Sequence, residues 1–237
     1  MMEEQQRLLA EVLDLFARRF DKHAVLRGGM VLRILGCERL TNDLDYVFVP
    51  YRSKKDIEED VLESLRSLPG VTLNHTLNSK CLRVSIVRGE VSIQVEAKTA
   101  LEVNSQTLST GSLARLFNLP PRLIRVVDYP VALADKMAAW NERRLVRDLY
   151  DIWLFLRMGV RPDEAQLSGR LRKPEYSRLV KASTHFNGKT VEDFYGFLRA
   201  HANTLSDEAI AAELKDFLRA DELAGLSMRF RAELAKL

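Results

Sequence analysis

Cysteine is scarce in this chain. Only Cys37 and Cys81 occur among its 237 residues, so no disulfide framework holds it and no Cys-x-x-Cys pair offers a metal-ligand spacing. The four histidines, His23, His75, His185 and His201, are scattered and share no zinc spacing with either cysteine, which argues against a structural zinc. So little cysteine suits a reduced, cytoplasmic setting. Long apolar runs are also missing. Nothing approaches the roughly 20 residues needed to cross a bilayer, so no membrane partner is expected. The opening Met1-Met2-Glu3-Glu4-Gln5-Gln6 has no apolar stretch of a signal peptide. Repeats and low-complexity tracts are absent too. Charge of one sign is not in large excess: the net charge is +3 with a pI of about 8.9, which permits an anionic partner without demanding one. With 46% hydrophobic and 29% charged residues, the chain has enough apolar material for one substantial core or two small ones.

The residues that are present divide the chain in two. Leu8, Leu9, Val12, Leu13, Leu15 and Phe16 recur at helical spacing within 4–20. Ala24 to Arg27 reads as a short strand running into a turn at Gly28-Gly29, followed by a short helix that ends at Gly36. Asp43 to Val49 has a strand pattern stopped by Pro50. Ser53 caps a helix over about 54–68, ended by Pro69-Gly70. Strands follow over 71–77, 81–88 and 90–97, with a hairpin turn at Arg88-Gly89-Glu90, and a few more are expected before Val127. From Tyr129 onward helical patterns dominate, over about 130–143, 146–158, 162–170, 175–186, 191–204 and 207 to the end. The expected fold class is α+β: a mixed sheet flanked by helices over residues 1–127, then a helical domain over 128–237.

The chemistry centres on Asp43-Leu44-Asp45. Side chains alternate across a strand, so both carboxylates leave one face, about 7 Å apart. Their repulsion falls if a cation lies between them, and Mg²⁺ is commonly held by one or two carboxylates together with phosphate oxygens. Asp-x-Asp is common, so on its own the first reading is two solvated acids at a strand end. Gly28-Gly29 alters that balance, because two glycines before a helix let backbone N–H groups approach a phosphate. Glu96, on a later strand, offers a third carboxylate for a two-metal site; the plainer reading pairs it with Lys98 or Arg83. Arg39 precedes the acids and either meets phosphate or offsets their charge.

Leu26-Arg27-Gly28-Gly29-Met30-Val31-Leu32-Arg33, followed by Arg39-Leu40-Thr41-Asn42-Asp43-Leu44-Asp45-Tyr46, resembles the signature of AbiEii-type nucleotidyltransferases. These are toxins of type IV toxin–antitoxin systems, include the MenT enzymes, and belong to the DNA polymerase beta-like superfamily. A second block is similar to the same family: Ala132-Leu133-Ala134-Asp135-Lys136-Met137-Ala138-Ala139-Trp140, then Arg143-Arg144-Leu145-Val146-Arg147-Asp148-Leu149-Tyr150-Asp151-Ile152. The resemblance implies a nucleotidyltransferase fold whose helical domain completes the active-site cleft. It implies metal binding by Asp43, Asp45 and Glu96, with Glu96 standing where the superfamily more often has Asp. Gly28 and Gly29 match the phosphate-binding turn, where the superfamily usually has Gly-Ser. Lys136 matches a lysine for the triphosphate, and Asp148 and Asp151 match the acids of the last motif, Asp148 as catalytic and Asp151 as nucleotide-binding.

On one helix, Lys136, Arg143 and Arg147 fall within about 40° of a common face, a cationic stripe suited to phosphates. Arg144–Asp148 and Arg147–Asp151 equally suit ordinary helix ion pairs, worth only tenths of a kcal/mol. Arg170, Arg172, Lys173, Arg178 and Lys181 form a basic cluster that suits either an RNA backbone or a solvated face. By resemblance, the expected activity is transfer of NMP from an NTP, with Mg²⁺ or Mn²⁺, to the 3′ end of tRNA, and a cognate antitoxin is an expected partner. The rival readings are a protein or small-molecule acceptor on the same fold, and a non-catalytic module that binds RNA or a protein partner.

Overall fold

A computed structural model of the chain describes residues 2–173, 186 and 190–237. It resolves into two compact units, Met1–Asp128 and Tyr129–Leu237.

The first unit carries a seven-stranded mixed sheet. Its strands are β1 (Ala24–Arg27), β2 (Asp43–Phe48), β3 (Thr72–Leu77), β4 (Leu82–Arg88), β5 (Val91–Thr99), β6 (Ser105–Ser109) and β7 (Leu123–Val127). They lie in the order β3-β4-β5-β2-β1-β7-β6. β2 runs antiparallel to β1 and parallel to β5, while β4 and β5 form the expected hairpin. Gly89 turns that hairpin with a positive φ of 58°, a backbone conformation that glycine adopts without steric penalty.

Period-2 alternation sorts the two faces of the sheet. Leu82, Val84 and Ile86 of β4, Ile93, Val95 and Ala97 of β5, Leu44, Tyr46 and Phe48 of β2, and Leu26 of β1 are all buried. Neighbouring strands in register share a face, so these residues form one apolar sheet surface. Helix α1 (Met2–Phe20) packs against it through Phe16, whose ring lies 5.0 Å from Tyr46 and 6.2 Å from Phe48. The Tyr46 phenol is buried there without a hydrogen-bond partner, and burial pushes its pKa up. The opposite surface of β4, β5 and β2 carries Arg83, Ser85, Gln94, Glu96, Asp43 and Asp45.

Three helices complete the unit: α2 (Gly29–Ile34), α3 (Lys55–Arg66) and α4 (Gly111–Leu116). Ser53 starts α3 as its sequence suggests. Its hydroxyl accepts from the Lys55 N–H at 3.2 Å, and its own N–H donates to Asp56 at 3.0 Å. The helix is shorter than expected at both ends.

The second unit is helical: α5 (Tyr129–Arg143), α6 (Val146–Arg157), α7 (Glu164–Arg172), α8 (Val191–Thr204), α9 (Asp207–Leu214), α10 (Ala220–Leu223) and α11 (Leu226–Leu234). The segment from Asp207 onward is therefore three helices rather than one, and Gly225 enters the left-handed region before α11. The helix expected over 175–186 lies outside the described residues except for Phe186. Aromatic side chains fill this unit's core. Trp140 stacks near Phe194 and Phe197, and Trp153 near Tyr150 and Phe230. Glu213 accepts the Val146 N–H at 3.1 Å, satisfying an N-terminal donor of α6. Among the described residues no helix is long and apolar enough to cross a membrane.

Phe16 is fully buried among aromatic rings of the sheet. Phe16→Ala is expected to destabilise the sheet unit by about 3–5 kcal/mol, read as a lowered midpoint in chemical denaturation monitored by circular dichroism.

Candidate active site

The turn between β1 and α2 sets the geometry of the acidic face. Gly28 has a φ of 77°, and a Cβ at that position would overlap Oδ2 of Asp45 and lie 3.1 Å from its Cγ. The backbone of the turn is thus pressed against the Asp45 carboxylate, and only glycine permits both the dihedral and the approach. A Cβ on Gly29 would come 3.0 Å from Nη2 of Arg39 and 3.3 Å from the Thr41 hydroxyl. Arg39 is itself buried, and its Nη1 donates to the Leu40 carbonyl at 3.2 Å. From α1, Gln6 donates to the Thr41 carbonyl at 3.1 Å, which ties the loop before the acids to the packed helix. Gly28, Gly29, Arg39, Asp43 and Asp45 therefore belong to one locality of the sheet unit.

Glu96 joins the same sheet face. In the parallel β2–β5 register Asp45 stands opposite Glu96 and Asp43 opposite Gln94. On the other side of β2, Arg27 stands opposite Asp45, and beyond β5, Arg83 stands opposite Glu96. Four strands thus line up Arg83, Glu96, Asp45 and Arg27. The Glu96 carboxylate bonds within this row: Arg83 donates to its Oε1 through Nε at 3.0 Å and Nη2 at 2.7 Å. Gln94 donates to the same oxygen at 2.9 Å, and the Cys81 thiol lies 3.8 Å from Oε2. Hydrogen bonding and charge from Glu96 raise the Arg83 pKa, and Asp43 adds to this. Burial raises the Cys81 pKa, and the nearby Glu96 charge pushes it further up. Glu96 thus pairs with Arg83, the plainer of its two expected readings, while sharing a sheet face with both aspartates. Among the described residues no group of three acids, histidines or cysteines is poised to hold a metal ion.

The helical unit holds the second set of predicted residues. The Lys136 ammonium lies 2.6 Å from Asp151, whose carboxylate is buried. Arg143 forks onto Asp148 with contacts of 3.0 and 2.5 Å. The continuous helical stripe of Lys136, Arg143 and Arg147 does not form. α5 ends at Arg143, Arg144 takes a left-handed φ of 57°, and Leu145 is extended ahead of α6. That corner changes the pairing. Arg143 reaches Asp148 in place of Arg144, and Lys136 reaches Asp151 in place of Arg147, which is exposed. Arg144 instead stacks over Trp140 at 4.4 Å and Phe197 at 4.7 Å, and burial lowers its pKa to about 10.

Within the basic cluster, Arg172 and Lys173 are exposed and Arg170 is not. Arg170 is largely buried and bridges Asp135 and Glu142, each at 3.0 Å, so it is a structural ion pair and not an RNA-facing charge. Arg172 bonds to Ser168. Arg178 and Lys181 lie outside the described residues.

Arg27 stands in the signature block without a role of its own, and Arg83 enters the sequence analysis only as an ordinary ion-pair partner of Glu96. Strand register places both in the row with Asp45 and Glu96.

Comparison with known proteins agrees with this fold. The family model described as "Nucleotidyl transferase AbiEii toxin, Type IV TA system" matches residues 7–235. Among solved structures, the nucleotidyltransferase toxin MenT4 from Mycobacterium tuberculosis H37Rv superposes with a TM-score of 0.54 at 18% identity, covering 100% of this chain and 86% of that one. JHP933 from Helicobacter pylori gives a TM-score of 0.53 at 14% identity, covering 98% of this chain and 91% of that one. At these identities the likeness speaks to fold. No curated protein matches the sequence significantly.

Two substitutions probe the geometry. Gly28→Ala is expected to displace the Asp45 carboxylate and reduce nucleotide transfer about a hundredfold while circular dichroism stays native. Asp151→Asn removes the partner of a mostly buried lysine and is expected to cost about 3–5 kcal/mol of stability, measured by denaturant titration.

Proposed function

The chain belongs to the AbiEii nucleotidyltransferase toxin family, and from that premise we propose that it transfers NMP from an NTP, with Mg²⁺ or Mn²⁺, to the 3′ end of tRNA. Nucleotides added there block aminoacylation and halt translation. The observation that carries the catalytic part is the Gly28 backbone abutting the Asp45 carboxylate, with Asp43 on the same face of β2.

The donors suit a hard divalent cation. Asp43 and Asp45 offer carboxylate oxygens, and phosphate oxygens of a bound nucleotide would supply further hard ligands. Such a cation, when bound, neutralises charge on the transferring phosphoryl group. Gly28 and Gly29 bring main-chain N–H groups close to the phosphates, and Arg39 behind Gly29 adds positive charge. In the helical unit, Lys136 takes the triphosphate and Asp151 orients its ammonium. Asp148 fixes the start of α6 through Arg143. The acceptor hydroxyl gives up its proton to solvent as its oxygen bonds to the α-phosphorus, the α–β phosphoanhydride breaks, and pyrophosphate leaves. The choice of tRNA as acceptor rests on the resemblance to the MenT enzymes. A cognate antitoxin, as the family's toxin–antitoxin character implies, neutralises the protein.

Incubation with labelled NTPs and separate pools of tRNA, protein and aminoglycoside tests the assignment. Label is expected on tRNA, with transfer reduced more than about a hundredfold in Asp43→Ala and in Lys136→Ala. Growth inhibition on expression is expected to vanish with the same changes. Label confined to protein or aminoglycoside overturns the tRNA acceptor, and variants that stay toxic while folded overturn catalysis as the cause.

A further inference from the structure

We propose that Arg83 stands in for a second divalent cation at this site, so that Glu96 is a charge-paired positioning residue and the Asp43–Asp45 pair holds a single cation. The inference rests on the reading of Asp43 and Asp45 as cation ligands.

Strand register supplies the first half of the case. Arg83, Glu96, Asp45 and Arg27 stand directly opposite one another on β4, β5, β2 and β1. Neighbouring strands lie about 4.8 Å apart, so the two central carboxylates repel. A cation between them offsets that repulsion, and so does a cationic side chain flanking the pair. Strand register sets an arginine at each end of the row, and Arg83 pairs directly with Glu96.

Bonding at Glu96 supplies the second half. Its Oε1 receives three N–H donors: Nε and Nη2 of Arg83, and Nε2 of Gln94. A carboxylate oxygen has two lone pairs, so this atom has no further capacity for a cation. Oε2 faces the Cys81 thiol. The Arg83 side chain is 49% exposed, so Coulomb attraction alone holds this pair weakly. What makes it selective is geometry, because the guanidinium fork and the Gln94 amide converge on one atom and stay charged or polar at any working pH. A guanidinium compensates charge but offers no open coordination position, so the acceptor hydroxyl meets no cation held by Glu96.

Counting bound Mn²⁺ per chain tests this, using the full chain with a non-hydrolysable NTP analogue and the paramagnetic signal of free Mn²⁺. Wild type is expected to bind one ion and Arg83→Gln two, because Glu96 is released. Glu96→Gln is expected to keep the single ion, and the Arg83→Gln/Glu96→Gln double variant to return to one. Two ions in wild type, one in folded Arg83→Gln, or loss of the ion in Glu96→Gln overturns the proposal. No ion in wild type overturns instead the reading of Asp43 and Asp45 on which it rests.

Discussion

Gly28 and Asp45 lie so close that the turn after β1 and the strand β2 cannot be varied independently. The carboxylate fills the volume a side chain would take at position 28, so the chain there must be glycine with a left-handed dihedral. The antiparallel β1–β2 pairing places the turn beside the acid, and the packed apolar face beneath holds that pairing in register. Slipping either strand by one residue would turn Leu44 and Tyr46 toward the polar face and carry both aspartates into the core. Burial of Leu44, Tyr46 and Phe48 against α1 therefore fixes the acids by exclusion.

The same logic explains how much was legible beforehand. β1, the β4–β5 hairpin and the helix after Ser53 were readable because each has a local cause: a glycine turn, a left-handed hairpin residue and a side-chain cap. The mixed α+β class followed from the change of pattern at Tyr129. Asp207 onward divides into three helices, and the left-handed Gly225 before α11 is a local signal of one break. Arg144 is the clearest failure. Nothing in its identity announces a left-handed conformation, which is stabilised by stacking on Trp140 and on Phe197, more than fifty positions away along the chain. With that corner hidden, helical spacing alone pairs Asp148 and Asp151 with Arg144 and Arg147, where the fold supplies Arg143 and Lys136.

Site residues within one sheet were easier to place than their bonds. Period-2 alternation puts Asp43, Asp45 and Glu96 on one face once β2 and β5 are neighbours. It does not say which charges they meet, because strand order is a long-range property. Arg83 meets Glu96 across the local β4–β5 hairpin, whereas Arg27 meets Asp45, and Asp45 meets Glu96, only through the strand order β5-β2-β1. Two ion pairs in the helical unit share this character: Arg170 looked like surface charge until α7 was seen to bring it onto Asp135 and Glu142.

The carboxylate of Glu213 on the Val146 N–H has a consequence for the order in which the molecule is completed during synthesis. The sheet unit has all its strands once residue 127 has left the ribosome. The helix bearing Asp148 and Asp151 acquires its N-terminal acceptor only when α9 has emerged, and its Tyr150–Trp153 surface is covered only when Phe230 arrives. A nascent chain therefore displays the glycine turn and the aspartates of β2 before α6 has gained its N-terminal acceptor.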